Sequence, residues 1–208
     1  MNRRAMPQHI LLHAPQRPLR RIVAPFLVAA ALMLAACEKP PLDGAAIGGE
    51  FALTDSRGQP VKYSDFDGKY RIVYFGYTSC PDVCPLDMQN IMTGYRLFAK
   101  DHGNAAKRVV PLFITVDPER DSPAVVGQFA ANFGPEVIGL TGSPEAVKAA
   151  EKAFAVYAQK RDGSEPDAYL MDHSRAAYLM GPKGEPIALL PAEQSGQAVA
   201  AELAKWVK

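Results

Sequence analysis

Cysteine is scarce in this chain: three residues in 208, at positions 37, 80 and 84. Two thiols four apart and a third near the start cannot staple a large fold, so no disulfide framework is expected. Long apolar runs are also missing. The most apolar stretch, Ile22 to Ala36, is interrupted by Pro25 and falls short of the ~20 residues that a bilayer-spanning helix needs. There is no internal repeat and no low-complexity tract. A basic stripe is absent too. Five of the 23 lysines and arginines lie within residues 1–21, which hold none of the 22 acids, so the remainder carries a net charge of about −4. That balance argues against nucleic acid as a partner.

The start of the chain does not read as part of a fold. Arg3, Arg4, Arg17, Arg20 and Arg21 form a positive flank, the apolar run follows, and it closes on Leu34-Ala35-Ala36-Cys37. Positive flank, short apolar core and small residues before a cut describe an export signal. The LAAC ending resembles a lipoprotein box, in which Cys37 becomes the lipidated N-terminus; an uncleaved N-terminal anchor is the alternative. The expectation is therefore a signal peptide at 1–36, a lipidated tether at 37–49 rich in Pro and Gly, and a domain at 50–208. It places the protein outside the cytoplasm, on the periplasmic side of the cell membrane through a lipid anchor. What remains after residue 36 suffices for one domain with its own core.

Hydrophobic periodicity supplies the elements. EFALTDSRGQPVKYSDF reads as a hairpin around a glycine-containing turn. RIVYFGY (71–77) and VVPLFITVD (109–117) read as buried strands. From Pro85 to Lys100 the period changes, and Met88, Ile91, Met92, Tyr95 and Phe98 share a helical face, which marks both methionines as core. Ser122-Pro123 and Ser143-Pro144 each read as an N-cap followed by Pro at the first helical position, opening helices to about Phe133 and Val156. RDGSEPD after Lys160 reads as a loop. AYLMDH, AAYLMG and IALLP read as extended, and Val199, Leu203 and Trp206 share a face of a last helix. Strand and helix alternation followed by hairpin strands describes an α/β sandwich. The CxxxC between a strand and a helix makes a thioredoxin-like arrangement the best fit, with an N-terminal β-hairpin and a C-terminal helix.

Cys80 and Cys84 lie in that strand-to-helix turn of YFGYTSCPDVCPLDM. On a helical turn, residues four apart share a side, close enough to bind one ion or to oxidise to each other. Unpaired N–H groups at a helix start favour thiolate over thiol. Two thiolates are soft donors that suit Cu(I) or zinc. Among the histidines after residue 37, His102 lies in a polar KDHGN turn and reads as surface, whereas His173 lies between two extended segments.

FGYTSCPDVCP, TVDPERDSP (115–123), GLTGS (139–143) and YLMDHSRAAYL (169–179) stand in the order found in the Sco/SenC family of copper-delivery proteins, and the chain resembles that family from about residue 45 onward. The resemblance implies a thioredoxin-like domain holding one copper, as Cu(I) or Cu(II), through Cys80, Cys84 and His173. It further implies a role in assembling the dinuclear copper centre of cytochrome c oxidase, with subunit II or a similar protein as acceptor and a separate copper donor. One departure is Gly181-Pro182-Lys183-Gly184, where family members often have Asp-Pro; a turn is expected there.

Asp82 and Asp172 are candidates to orient a ligand or tune the site's charge, or else exposed loop carboxylates. Met171, two residues from His173 in an extended run, is a candidate weak thioether ligand. Asp117, Glu119, Arg120 and Asp121 read as a strand-ending turn with internal salt bridges. The competing function is a thiol–disulfide oxidoreductase acting on exported proteins, with Cys80 and Cys84 as its redox pair. A peroxidase is disfavoured because Tyr77 and Pro81 stand where a Thr or Ser would be needed. A closed zinc module is disfavoured because it uses four ligands and three are visible.

Overall fold

Tyr70–Gly76, the apolar run centred on Val73, forms a strand in which every residue is buried, as a strand covered on both faces requires. The computed structural model describes residues 38–161 and 169–208, and Lys39–Lys208 fold as one compact unit. The expected signal peptide and Cys37 lie outside the described residues, as does all of the RDGSEPD loop after Arg161.

The strands are β1 (Ala52–Asp55), β2 (Pro60–Lys62), β3 (Tyr70–Gly76), β4 (Val109–Thr115), β5 (Ile138–Thr141), β6 (Ala158–Arg161), β7 (Leu170–His173), β8 (Ala177–Met180) and β9 (Pro186–Leu190). Seven of them make one sheet in the order β2-β1-β5-β4-β3-β8-β9, and β6 pairs with β7 apart from it. β3, β4 and β5 are parallel; the outer strands are antiparallel. Each parallel step needs a crossover. β3 is followed by helix α1 (Val83–Asp101), and β4 by α2 (Pro123–Ala131). Helices α3 (Pro144–Ala153) and α4 (Gly196–Trp206) follow, and single helical turns lie at Tyr63–Phe66 and Gly103–Ala106. This is the expected thioredoxin-like α/β sandwich, with the N-terminal hairpin β1–β2 and the C-terminal helix α4.

The caps behave as their residue types dictate. Ser122 and Ser143 accept the N–H groups of Val125 and Ala146, and Pro follows each at the first helical position. Both helices stop earlier than expected. Beyond Ala153, Ala155 adopts φ +51 and the Val156 N–H turns back to the Glu151 carbonyl, which ends the helix. The Gly181–Gly184 departure is a tight turn between β8 and β9, with Gly184 at φ +80. Arg71, fully buried, donates to the Gly181 carbonyl at 2.7 Å and pairs with Asp67 at 2.8 Å.

Two segments differ from expectation. The Pro- and Gly-rich stretch before residue 50 lies along the domain: the Leu42 N–H reaches the Ile187 carbonyl, the Gly48 N–H reaches the Ala153 carbonyl, and Leu42 and Ile47 pack on the core. Ala158–Arg161 extends into β6, because it pairs in register with β7, Ala158 opposite His173 and Arg161 opposite Leu170.

Met88, Ile91, Met92 and Phe98 are buried on the predicted face of α1. That helix crosses α4 where glycines meet. A Cβ on Gly94 would stand 2.5 Å from the Val199 side chain and 2.7 Å from the Gly196 carbonyl oxygen. In an ordinary helix Gly→Ala stabilises by about 1 kcal/mol. Here the clash reverses the sign, and Gly94→Ala should lower unfolding free energy by about 1–3 kcal/mol. Urea denaturation of the two proteins measures this, and an equal or higher midpoint for the variant would contradict the crossing.

Candidate metal centre

Three elements converge at the end of β3. The chain leaves that strand through Tyr77 and Thr78, presents Cys80 in the loop, and enters α1 so that Cys84 is its second residue. His173 arrives from the end of β7. The Sγ atoms of Cys80 and Cys84 and a ring nitrogen of His173 all lie within 4.8 Å of one another. The Cys84 Sγ is 3.3 Å from His173 Nε2. Both cysteines are free thiols. The three candidate ligands from the sequence are therefore brought together.

Their protonation follows from their surroundings. His173 Nδ1 is 2.9 Å from the Ser174 carbonyl oxygen. A carbonyl only accepts, so Nδ1 carries the hydrogen and Nε2 is left bare toward the sulfurs. Burial lowers the histidine's pKa, keeping the ring neutral. Burial pushes the Cys84 thiol up, and the neighbouring Cys80 sulfur adds to the rise. Burial also works against a charge on Cys80, but hydrogen bonds from the Asp82 N–H, the Cys84 side chain and N–H and the Tyr77 hydroxyl outweigh it and hold that thiol below its usual range. The pair is asymmetric: a sulfur disposed to thiolate on the rim, and a protonated one behind it with a bare imidazole nitrogen 3.3 Å away.

Space for the inner sulfur comes from Gly76, where a Cβ would lie 3.1 Å from Cys84 Sγ, Phe113 and Tyr74. Tyr77 sets the edge of its ring against His173, centroids 5.8 Å apart at 89°. Cys80, Pro81, Leu170 and His173 line an open cleft of about 320 Å³, so the site faces outward.

The remaining candidates fall as follows. Met171 lines the same cleft and is partly packed on the core. The Asp172 carboxylate pairs with Arg161 on β6. Asp82 is exposed and contributes its backbone N–H to Cys80. His102 is on the surface, stacked on Phe98.

Sequence reasoning missed two networks. Asp87, fully buried, accepts the Tyr74 hydroxyl at 2.9 Å and a two-pronged ion pair from Arg175 at 3.0 and 2.7 Å. It ties the loop after His173 to the helix bearing Cys84. Its signal was a carboxylate at i+3 from Cys84 on an otherwise apolar helix face. The second lies in DPERD, read as a strand-ending turn with internal salt bridges. The Asp117–Arg120 pair is present, but Asp117 and Asp121 are both buried and reach other segments.

The chain matches the SCO1/SenC family model over residues 39–208. It is 41% identical over 150 residues to the mitochondrial SCO1 homolog 1 of Arabidopsis thaliana, covering 72% of this chain and 44% of that protein. With the mitochondrial SCO2 homolog of Bos taurus it shares 40% identity over 141 residues, covering 67% of this chain and 52% of the other. The chain spans about half the length of these curated relatives. The crystal structure of Arabidopsis thaliana ScoI with copper bound superposes with a TM-score of 0.70 at 35% identity, covering 76% of this chain and 96% of the other. These relatives correct the location expected from the first residues. They are mitochondrial proteins of eukaryotes, and the periplasmic, lipid-anchored placement does not stand.

Because Cys84 keeps its proton at neutral pH, an ion entering the site must displace it. Apparent affinity for a soft metal ion should fall by at least about tenfold for each unit of pH below neutrality, because the Cys84 proton has to leave. Neutral His173, its pKa lowered, adds competition only at more acidic pH. Competition titrations against a chelator at several pH values check this; a pH-independent affinity would mean that Cys84 is not a ligand.

Proposed function

The chain belongs to the SCO1/SenC family, and from that premise we propose that it binds one copper ion through Cys80, Cys84 and His173 and serves the assembly of cytochrome c oxidase. The observation that carries this reading is the meeting of two sulfurs and a bare imidazole nitrogen within 4.8 Å. Two thiolates and one imidazole suit a nearly trigonal copper site and accept both Cu(I) and Cu(II). The family resemblance and the copper held by the Arabidopsis ScoI structure support the same assignment.

Delivery is consistent with the geometry. Three ligands leave copper a coordination position open, and the site lies in an outward-facing cleft. An acceptor's ligand can bind there before the chain's own ligands let go. The acceptor is the dinuclear copper centre of cytochrome c oxidase subunit II or a similar protein, loaded after a separate donor has filled this site. Asp172 acts on His173 through the strand they share, and Asp82 through its N–H to Cys80. Met171 is a weak additional ligand at most; Met171→Leu with an unchanged Cu(II) spectrum would remove it from the site.

A second reading rests on the thiol asymmetry. The Cys80 thiolate attacks a partner disulfide, forming a mixed disulfide and releasing one partner thiolate. Cys84 then attacks Cys80, giving a Cys80–Cys84 disulfide and a second partner thiol. Two electrons pass to the partner, and the Cys84 proton goes to the leaving sulfur. Such a reductase gives His173 no necessary role as a ligand.

Copper stoichiometry of the purified chain beside His173→Ala, with the visible spectrum of the Cu(II) form, tests the proposal. One copper per chain with intense sulfur-to-copper absorption, lost or badly weakened in the variant, is expected. No stable copper in the reduced wild type would leave thiol–disulfide exchange as the function.

A further inference from the structure

The DPERD segment makes two sets of contacts with other segments, beyond the internal salt bridge expected of it. Asp121 is fully buried. Its Oδ1 accepts the Thr78 hydroxyl at 2.6 Å, and its Oδ2 accepts the Thr78 N–H at 3.0 Å and the Thr115 hydroxyl at 2.6 Å. Its own carbonyl accepts the Thr141 hydroxyl at 2.8 Å. One residue therefore joins the ends of β4 and β5 to the backbone two residues before Cys80.

The other set reaches the opposite side of the site. Asp117 accepts the Tyr169 hydroxyl at 2.7 Å and pairs with Arg120. Arg120 donates to the Tyr169 carbonyl at 2.9 Å and lies over that ring at 3.6 Å. Tyr169 immediately precedes β7, the strand that ends in His173. Arg120 also faces Tyr77, at 5.8 Å, the ring whose edge meets His173.

We propose that Asp121 and the Asp117–Arg120–Tyr169 cluster are positioning residues for the metal site, holding the Cys80 loop and the His173 strand at the spacing three ligands need before the ion arrives. They touch no ligand atom and act through the segments they hold. Ligand-bearing loops without such support close on an ion only by ordering themselves, which reduces affinity. The inference rests on the copper-binding reading above.

The test uses Thr78→Val, which keeps the side-chain shape and removes the hydroxyl, Thr78→Ser, which keeps the hydroxyl, and Asp121→Asn. Cu(II) affinity by chelator competition, the sulfur-to-copper band and the thermal midpoint are read for each. Thr78→Ser should match wild type in affinity and band. Thr78→Val and Asp121→Asn should bind about 10–100-fold more weakly, with a shifted band, at temperatures where both are folded. Wild-type affinity and spectrum in both would overturn the proposal even if their midpoints fell, because that pattern marks a purely structural role. Should neither fold, Tyr169→Phe decides: it loses one hydroxyl and keeps the ring, and unchanged affinity and spectrum would overturn the proposal. Wild type that takes up no copper would overturn the copper reading itself, and the inference with it.

Discussion

Cys84 and His173 stand 89 positions apart in sequence, and their side chains meet at 3.3 Å. Neither residue can reach the other by local structure. Cys84 is placed by α1, whose register is set by Met88, Ile91 and Met92 in the core and by the glycine crossing with α4. His173 is placed by β7, which among the described residues pairs with β6 alone and is not part of the main sheet. A two-stranded ribbon is marginal on its own, so the histidine's position depends on what fastens that ribbon to the domain. Arg175 bonded to Asp87 fastens it on the helix side, and Tyr169 bonded to Asp117 and Arg120 fastens it on the other.

Those fastenings explain the buried charge around an otherwise apolar strand end. A buried carboxylate is costly unless each oxygen has donors. Asp87 has a tyrosine and an arginine, Asp117 a tyrosine and an arginine, and Asp121 two threonine hydroxyls and an N–H. Each satisfies its carboxylate with partners from different elements, so satisfying the charge and fixing the geometry are the same event.

What the sequence made legible was local or periodic. CxxxC between a strand and a helix, the Ser-Pro caps and the apolar face of α1 are short-range patterns, and short-range rules place them. His173 was ambiguous by itself and became a candidate ligand through the order of the landmarks around it. The missed features share another cause. Asp87, Asp121 and Arg175 are polar, and polar residues in loops or at helix starts read as solvated; their partners lie 88 and 43 positions away, beyond any window. β6 was missed because Ala158–Arg161 is mostly polar and exposed, and only its pairing with β7 makes it a strand. Leu42 and Ile47, two apolar residues amid Pro and Gly, were too sparse to announce that their segment docks.

The protonation asymmetry of the cysteines bears on which chemistry the site favours. For thiol exchange, the attacking sulfur should be accessible and disposed to thiolate, and Cys80 is both relative to the fully buried Cys84. For a metal, both sulfurs must be thiolates, and Cys84 opposes that until an ion supplies positive charge inside its pocket. Copper binding therefore changes the inner sulfur far more than the rim one. A bare imidazole nitrogen held by Ser174 at 3.3 Å from that sulfur is idle when Cys80 attacks a disulfide. It has a direct task when an ion replaces the Cys84 proton, since this nitrogen, already beside that sulfur, then completes the ligand set. The placement of His173 thus weighs toward metal binding, with exchange as a second use of the same two sulfurs.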